Sequence, residues 1–116
     1  MSVTMIDVGA LEDIPPLGAR KIRTALGCVA LFRAEGDAVF ALDDRCPHKG
    51  GPLSDGIVHG RAVTCPLHAW VIDLDTGRAQ GADEGAVRTI AARVENGRVL
   101  VDAVALGLAP ALAGAA

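Results

Sequence analysis

Cys46-Pro47-His48 and, beyond residues 49–64, Cys65-Pro66-Leu67-His68 are the stretches on which the reading of this chain turns. Each offers one thiolate and one imidazole, and the remainder reads as a scaffold holding the two loops face to face. Zinc fingers usually group two Cys and then two His, whereas here the order is Cys, His, Cys, His with tight steps inside each pair. That order suits a site with two metal atoms. A Cys-x-His or Cys-x-x-His step lands its two side chains a few ångströms apart, so each loop can bridge such a site.

In a [2Fe–2S] cluster of the Rieske kind, one iron takes both cysteines and the other both histidines. The spacing, with Pro after each Cys, resembles the Rieske [2Fe–2S] family. The resemblance implies a [2Fe–2S] cofactor with Cys46, His48, Cys65 and His68 as its ligands. Two other readings of the same residues stay open: a structural Cys₂His₂ zinc site, and a Cys46–Cys65 disulfide with both histidines idle. Against the disulfide, the cysteine count is odd, at 3. The start, Met1-Ser2-Val3-Thr4, also lacks a basic region followed by an apolar one, so an oxidising compartment is not indicated.

A chain of 116 residues is expected to form one domain with a modest core. A net charge of -3 without a basic stripe argues against nucleic acid as a partner. The only aromatic residues, Phe32, Phe40 and Trp70, leave no stacking platform. The apolar residues come in short runs of Val, Ala and Leu rather than a spanning segment, so no membrane association is expected and the location is expected to be cytoplasmic.

A first strand is expected over residues 3–8, followed by a turn at Ile14-Pro15-Pro16-Leu17-Gly18, where consecutive prolines cannot donate to a ladder. Strands follow over residues 20–24, 28–33 and 38–42, the last two joined at Glu35-Gly36-Asp37. Cys28 sits in an apolar run and is expected to be a small core residue. Residues 49–56 are too rich in Gly for regular structure; glycines there would let backbone N–H groups approach bridging sulfides, although a plain turn uses the same residues. A small hairpin about His59-Gly60 pairs residues 57–58 with 62–64, and His59 reads as a solvated turn residue. Residues 70–74 alternate as a strand, and residues 79–85 make a third loop beside the cluster. Residues 87–94 and 98–101 pair across Asn96-Gly97, the strongest hairpin signal in the chain.

The expected architecture is all-β: an antiparallel sandwich or open barrel of about eight to ten short strands. A small cluster-binding subdomain is inserted from roughly Asp43 to Asp75. The domain runs over residues 1–102, and residues 103–116, rich in Ala, Gly and Leu with Pro110, form a loosely attached tail. The resemblance implies the same arrangement.

Charge counting sets the expected chemistry. Two ferric irons, two sulfides, two thiolates and two neutral imidazoles sum to zero, whereas an all-cysteine cluster starts at minus two, so histidine ligation raises the potential. The resemblance also implies that high-potential members carry a Ser and a Tyr after the second His, and a disulfide between the loops. Here those positions are Trp70 and Ile72, neither loop has an extra cysteine, and the chain has no Tyr. A ferredoxin-like, lower potential follows, with electrons leaving through the histidines past a rim of Arg45, Pro47, Lys49, Pro52, Leu53 and Leu67. No nucleophile with a base and no nucleotide cradle is evident.

The run from Cys46 through Gly60, with Cys65-Pro66-Leu67-His68-Ala69-Trp70, Ile14-Pro15-Pro16-Leu17-Gly18 and Gly85-Ala86-Val87-Arg88-Thr89, is similar to the small subunit of assimilatory NAD(P)H-dependent nitrite reductase. That likeness implies a large-subunit partner carrying FAD, a [4Fe–4S] cluster and sirohaem, which reduces nitrite to ammonia. Ala69 stands where many Rieske ferredoxins have Gly, and a Pro common late in the fold is replaced around Ala91-Ala92. Two further functions compete: a free Rieske ferredoxin serving a ring-hydroxylating dioxygenase, and a structural or regulatory subunit without a redox role.

Overall fold

In the computed structural model the described residues are 5–24, 27–45, 52–65, 70–80 and 85–106. They form ten strands: β1 (Met5–Ala10), β2 (Ala19–Thr24), β3 (Gly27–Arg33), β4 (Val39–Asp43), β5 (Ile57–His59), β6 (Ala62–Thr64), β7 (Val71–Asp73), β8 (Thr89–Ile90), β9 (Ala92–Glu95) and β10 (Arg98–Asp102). These fall into three antiparallel sheets, ordered β1-β10-β9, β2-β3-β4-β8 and β5-β6-β7.

The middle sheet explains the apolar runs. Residues Val29 through Phe32 are all buried, and they divide by parity. Ala30 and Phe32 join Leu42, Leu53, Val63, Cys65, Ile72 and Leu74 in one apolar cluster. Val29 and Leu31 join Ala41, Ile90, Val99 and Val101 in another. Side chains alternate across a strand, so a strand apolar at both parities needs cover on both faces. The β1-β10-β9 sheet covers one face and the β5-β6-β7 sheet covers the other. Burying a Leu, Ile or Phe side chain contributes about 1.5–3 kcal/mol, whereas an exposed ion pair contributes about 0–1 kcal/mol. The layers are therefore held chiefly by apolar packing, through Phe32, Leu42, Leu53, Ile72 and Leu74 on one side of the middle sheet and Val29, Leu31, Val99 and Val101 on the other. Polar links supplement them, with the Arg61 guanidinium 5.0 Å above the Phe40 ring and Glu35 N–H donating to Gly60 O at 3.2 Å.

Several boundaries differ from the sequence reading. The expected strand over residues 87–94 divides at Ala91: Ile90 pairs with Ala41 in the middle sheet, while Ala92 pairs with Val101 in the outer one. The Asn96-Gly97 turn has positive φ at both residues, 52° and 75°, the backbone of a tight type I′ hairpin. Its register draws β9 toward β10, and the chain changes sheets where that ladder ends.

Cys28 is half-buried rather than core, because β3 is covered on both faces only from Val29 onward. Within the glycine-rich segment, Leu53–Asp55 forms a 3₁₀ turn with Leu53 fully buried. Ala103 and Leu106, placed in the loose tail by the sequence reading, are buried, Leu106 among the second apolar cluster. Residues 107–116 lie outside the described residues.

Candidate metal centre

The stems of the expected ligand loops converge on one apolar bed. Cys65, at the end of β6, is 1% exposed and shares a cluster with Leu53, Val63 and Ile72. Leu53 belongs to the return stem of the first loop, so both loops are rooted in the same packing. Gly56 tightens the junction: a Cβ there would come within 2.3 Å of Thr64 O, next to Cys65.

Among the described residues, main-chain bonds close the second and third loops at their bases. Cys65 N–H donates to Trp70 O at 2.7 Å across residues 66–69. Ala79 N–H donates to Gly85 O at 2.9 Å across the third loop, and Gln80 N–H donates to Val71 O at 2.8 Å, tying that loop to β7. Gly77, with φ of +75°, lets the chain turn back toward it; a Cβ there would stand 2.2 Å from Val87 O. The first loop is closed differently, by the Asp44 side chain, which accepts the backbone N–H and the hydroxyl of Ser54, each at 2.7 Å.

Cys46, His48 and His68 lie outside the described residues, as do Pro47, Lys49 and Leu67 of the expected rim. Among the described residues no group of three His, Cys, Asp or Glu side chains could hold a metal, since Cys65 is the single expected ligand they include. Cys65 fits the thiolate end of a diiron site: a buried sulfur beneath two converging stems, where deeply placed cysteine ligation requires it. His59 is exposed as the sequence reading expects, but it is the last residue of β5, paired with Ala62, rather than part of the turn, which falls at Gly60-Arg61. Its Nε2 shares a 2.7 Å hydrogen bond with Thr64 Oγ1. Arg45 is exposed and Pro52 half-buried, whereas Leu53, placed on the rim by the sequence reading, is fully buried beside Cys65, because the 3₁₀ turn directs it into the apolar cluster. The Asp44 closure was not recognised in the sequence, because a lone acidic residue before a ligand loop carries no spacing signal of its own.

The sequence matches the Rieske [2Fe-2S] domain over residues 4–91. The chain belongs to the Rieske [2Fe–2S] family. Membership implies a Rieske-type [2Fe–2S] cluster and a role as an electron-transfer protein associated with an oxidoreductase. Among curated relatives, the ferredoxin component of the naphthalene 1,2-dioxygenase system of Pseudomonas aeruginosa is 34% identical over 103 residues, 88% of this chain and 98% of that one. Two solved structures share the fold at a TM-score of 0.76. One is the ferredoxin of carbazole 1,9a-dioxygenase from Nocardioides aromaticivorans IC177, 26% identical, covering 85% of this chain and 97% of that one. The other, assigned as an NADH-dependent nitrite reductase small subunit from Mycobacterium tuberculosis, is 28% identical, covering 87% of this chain and 96% of that one. Among the described residues no helix is long and apolar enough to cross a membrane.

Proposed function

We propose that this Rieske protein is the ferredoxin component of an oxygenase system, passing one electron at a time to a terminal oxygenase. Cys46, His48, Cys65 and His68 hold its cluster. The observation that carries this reading is the likeness to the naphthalene dioxygenase ferredoxin, which spans 98% of that relative. When bound, the cluster supplies reversible one-electron exchange at a potential raised by histidine ligation. The chain's own contribution is to bury the cysteine end in the bed of Leu53, Val63 and Ile72 and to leave the other end toward the rim. Trp70 and Ile72, in place of hydroxyl-bearing residues, support a potential in the lower part of the Rieske range.

A second reading is the one that the sequence favoured, the small subunit of NAD(P)H-dependent nitrite reductase. It is supported by the Lys49-Gly50-Gly51-Pro52-Leu53 segment and by the 28% identity to the Mycobacterium tuberculosis protein. Its partner would be the large subunit bearing FAD, [4Fe–4S] and sirohaem.

One experiment separates the readings. Anaerobically purified protein, reduced and mixed in turn with an aromatic-ring oxygenase and with a sirohaem subunit, is followed by reoxidation of its visible spectrum. Rapid reoxidation by oxygenase with substrate supports the first reading; stable association with the sirohaem subunit and faster nitrite reduction replace it with the second.

A further inference from the structure

We propose that Asp44 is a positioning residue whose buried carboxylate clasps Ser54 and thereby fixes how the first loop presents Cys46 and His48. The inference rests on the reading of those two residues as ligands. Asp44 precedes Cys46 by two positions, and Ser54 stands on the return stem, ten residues from Asp44 in sequence. The segment that contains both expected ligands is therefore closed into a ring by the Asp44 side chain.

The Asp44 side chain is 1% exposed. Burying a carboxylate that deeply is unfavourable unless its oxygens are bonded. Both are: Oδ1 accepts Ser54 N–H at 2.7 Å, Oδ2 accepts Ser54 Oγ–H at 2.7 Å, and Lys21 Nζ lies 3.4 Å from Oδ2. A carboxylate suits this place because it offers two acceptors to donors from a single residue, where an amide offers one.

The clasp is also braced on either side. Asp44 N–H donates to Cys28 O at 3.0 Å, fastening its backbone to β3. Ser54 follows the fully buried Leu53, which packs in the cluster that holds Cys65. Asp44 thus sets the first loop against the bed of the second. Residues 66–69 are spanned at their base by a main-chain bond, and the longer first segment has this side chain at its base. Lys21 is half exposed, at 48%, so its ion pair is the minor part of the arrangement.

The test uses full-length protein purified anaerobically with its cluster. The variants are Ser54→Ala, Asp44→Asn, Ser54→Thr as rescue, and Lys21→Ala and Arg98→Ala as controls. Two properties are read: the rate at which EDTA bleaches the cluster absorbance, and the g-values of the reduced protein. Groups that orient metal ligands typically alter metal retention 10–100-fold, so Ser54→Ala and Asp44→Asn are expected to bleach roughly tenfold or more faster, with shifted g-values. Ser54→Thr, Lys21→Ala and Arg98→Ala are expected to match wild type. Wild-type rates and g-values in both Ser54→Ala and Asp44→Asn overturn the proposal. Should Asp44→Asn not fold, Ser54→Ala with Ser54→Thr decides alone, because the carboxylate is retained there. A wild-type protein carrying no cluster overturns the ligand reading and this proposal together, a result distinct from unchanged variants.

Discussion

Cys65 N–H donates to the carbonyl oxygen of Trp70 at 2.7 Å, a main-chain bond across the base of the second loop. Side-chain changes inside that loop, and at His48 within the segment closed by Asp44 and Ser54, should therefore remove chemistry without removing the stems. His68→Cys and His48→Ala are each expected to abolish the low-average-g signal of a His-ligated cluster while far-UV circular dichroism keeps its β signature. A normal spectrum from either variant would overturn the ligand assignment.

Gly77 and Gly97 share a φ of +75° but differ in surroundings. A Cβ on Gly77 would meet Val87 O at 2.2 Å, whereas one on Gly97 meets nothing within 4 Å. Gly97→Ala should cost about 1 kcal/mol, from backbone strain alone. Gly77→Ala should cost about 2–4 kcal/mol, since strain and clash combine there. Denaturant midpoints at a common m-value check the order; equal losses would refute the steric account.

Arg98 donates to both oxygens of Asp7 across β1 and β10, at 2.8 and 3.0 Å. Its guanidinium, with help from the Gly9 N–H, holds the Asp7 carboxyl below its usual value of 3.8. A depressed folded-state pKa gives stability that is present above the unfolded value and lost as pH falls through the folded one. Wild type is therefore expected to lose more stability between about pH 5 and pH 2 than Arg98→Ala does. Both side chains are about half exposed, at 52% and 44%, so added salt should shrink the difference. Parallel acid profiles for the two proteins would exclude this linkage.

Trp70 and Ile72 occupy positions where the family resemblance implies hydroxyl donors in high-potential members. Restoring both at once is a poor test, because Ile72 is fully buried and a tyrosine there would overpack the bed of Cys65, typically by about 1–3 kcal/mol. Trp70 is only partly buried, so Trp70→Ser is the cleaner variant. It is expected to raise the reduction potential in protein-film voltammetry; no upward shift would reject the part assigned to this position.

The hairpins at Asn96-Gly97 and near His59-Gly60 were legible because turn chemistry is local: the backbone angles demanded there suit few residues. The all-β class was legible for the same reason, through short apolar runs between turn residues. The division at Ala91 was not, because residues on both sides of it look equally like strand. Which sheet each half joins depends on partners distant in sequence, Ala41 for Ile90 and Val101 for Ala92.

By itself the sequence determined the family and the expected donor set, since Cys-x-His and Cys-x-x-His steps constrain ligand chemistry within a few residues. The tertiary structure decided that the middle sheet is covered on both faces and that Leu53 and Cys65 share one bed. It also decided that Asp44 is sealed under Ser54. A carboxylate's role depends on which donors packing brings to it, and no local pattern records that.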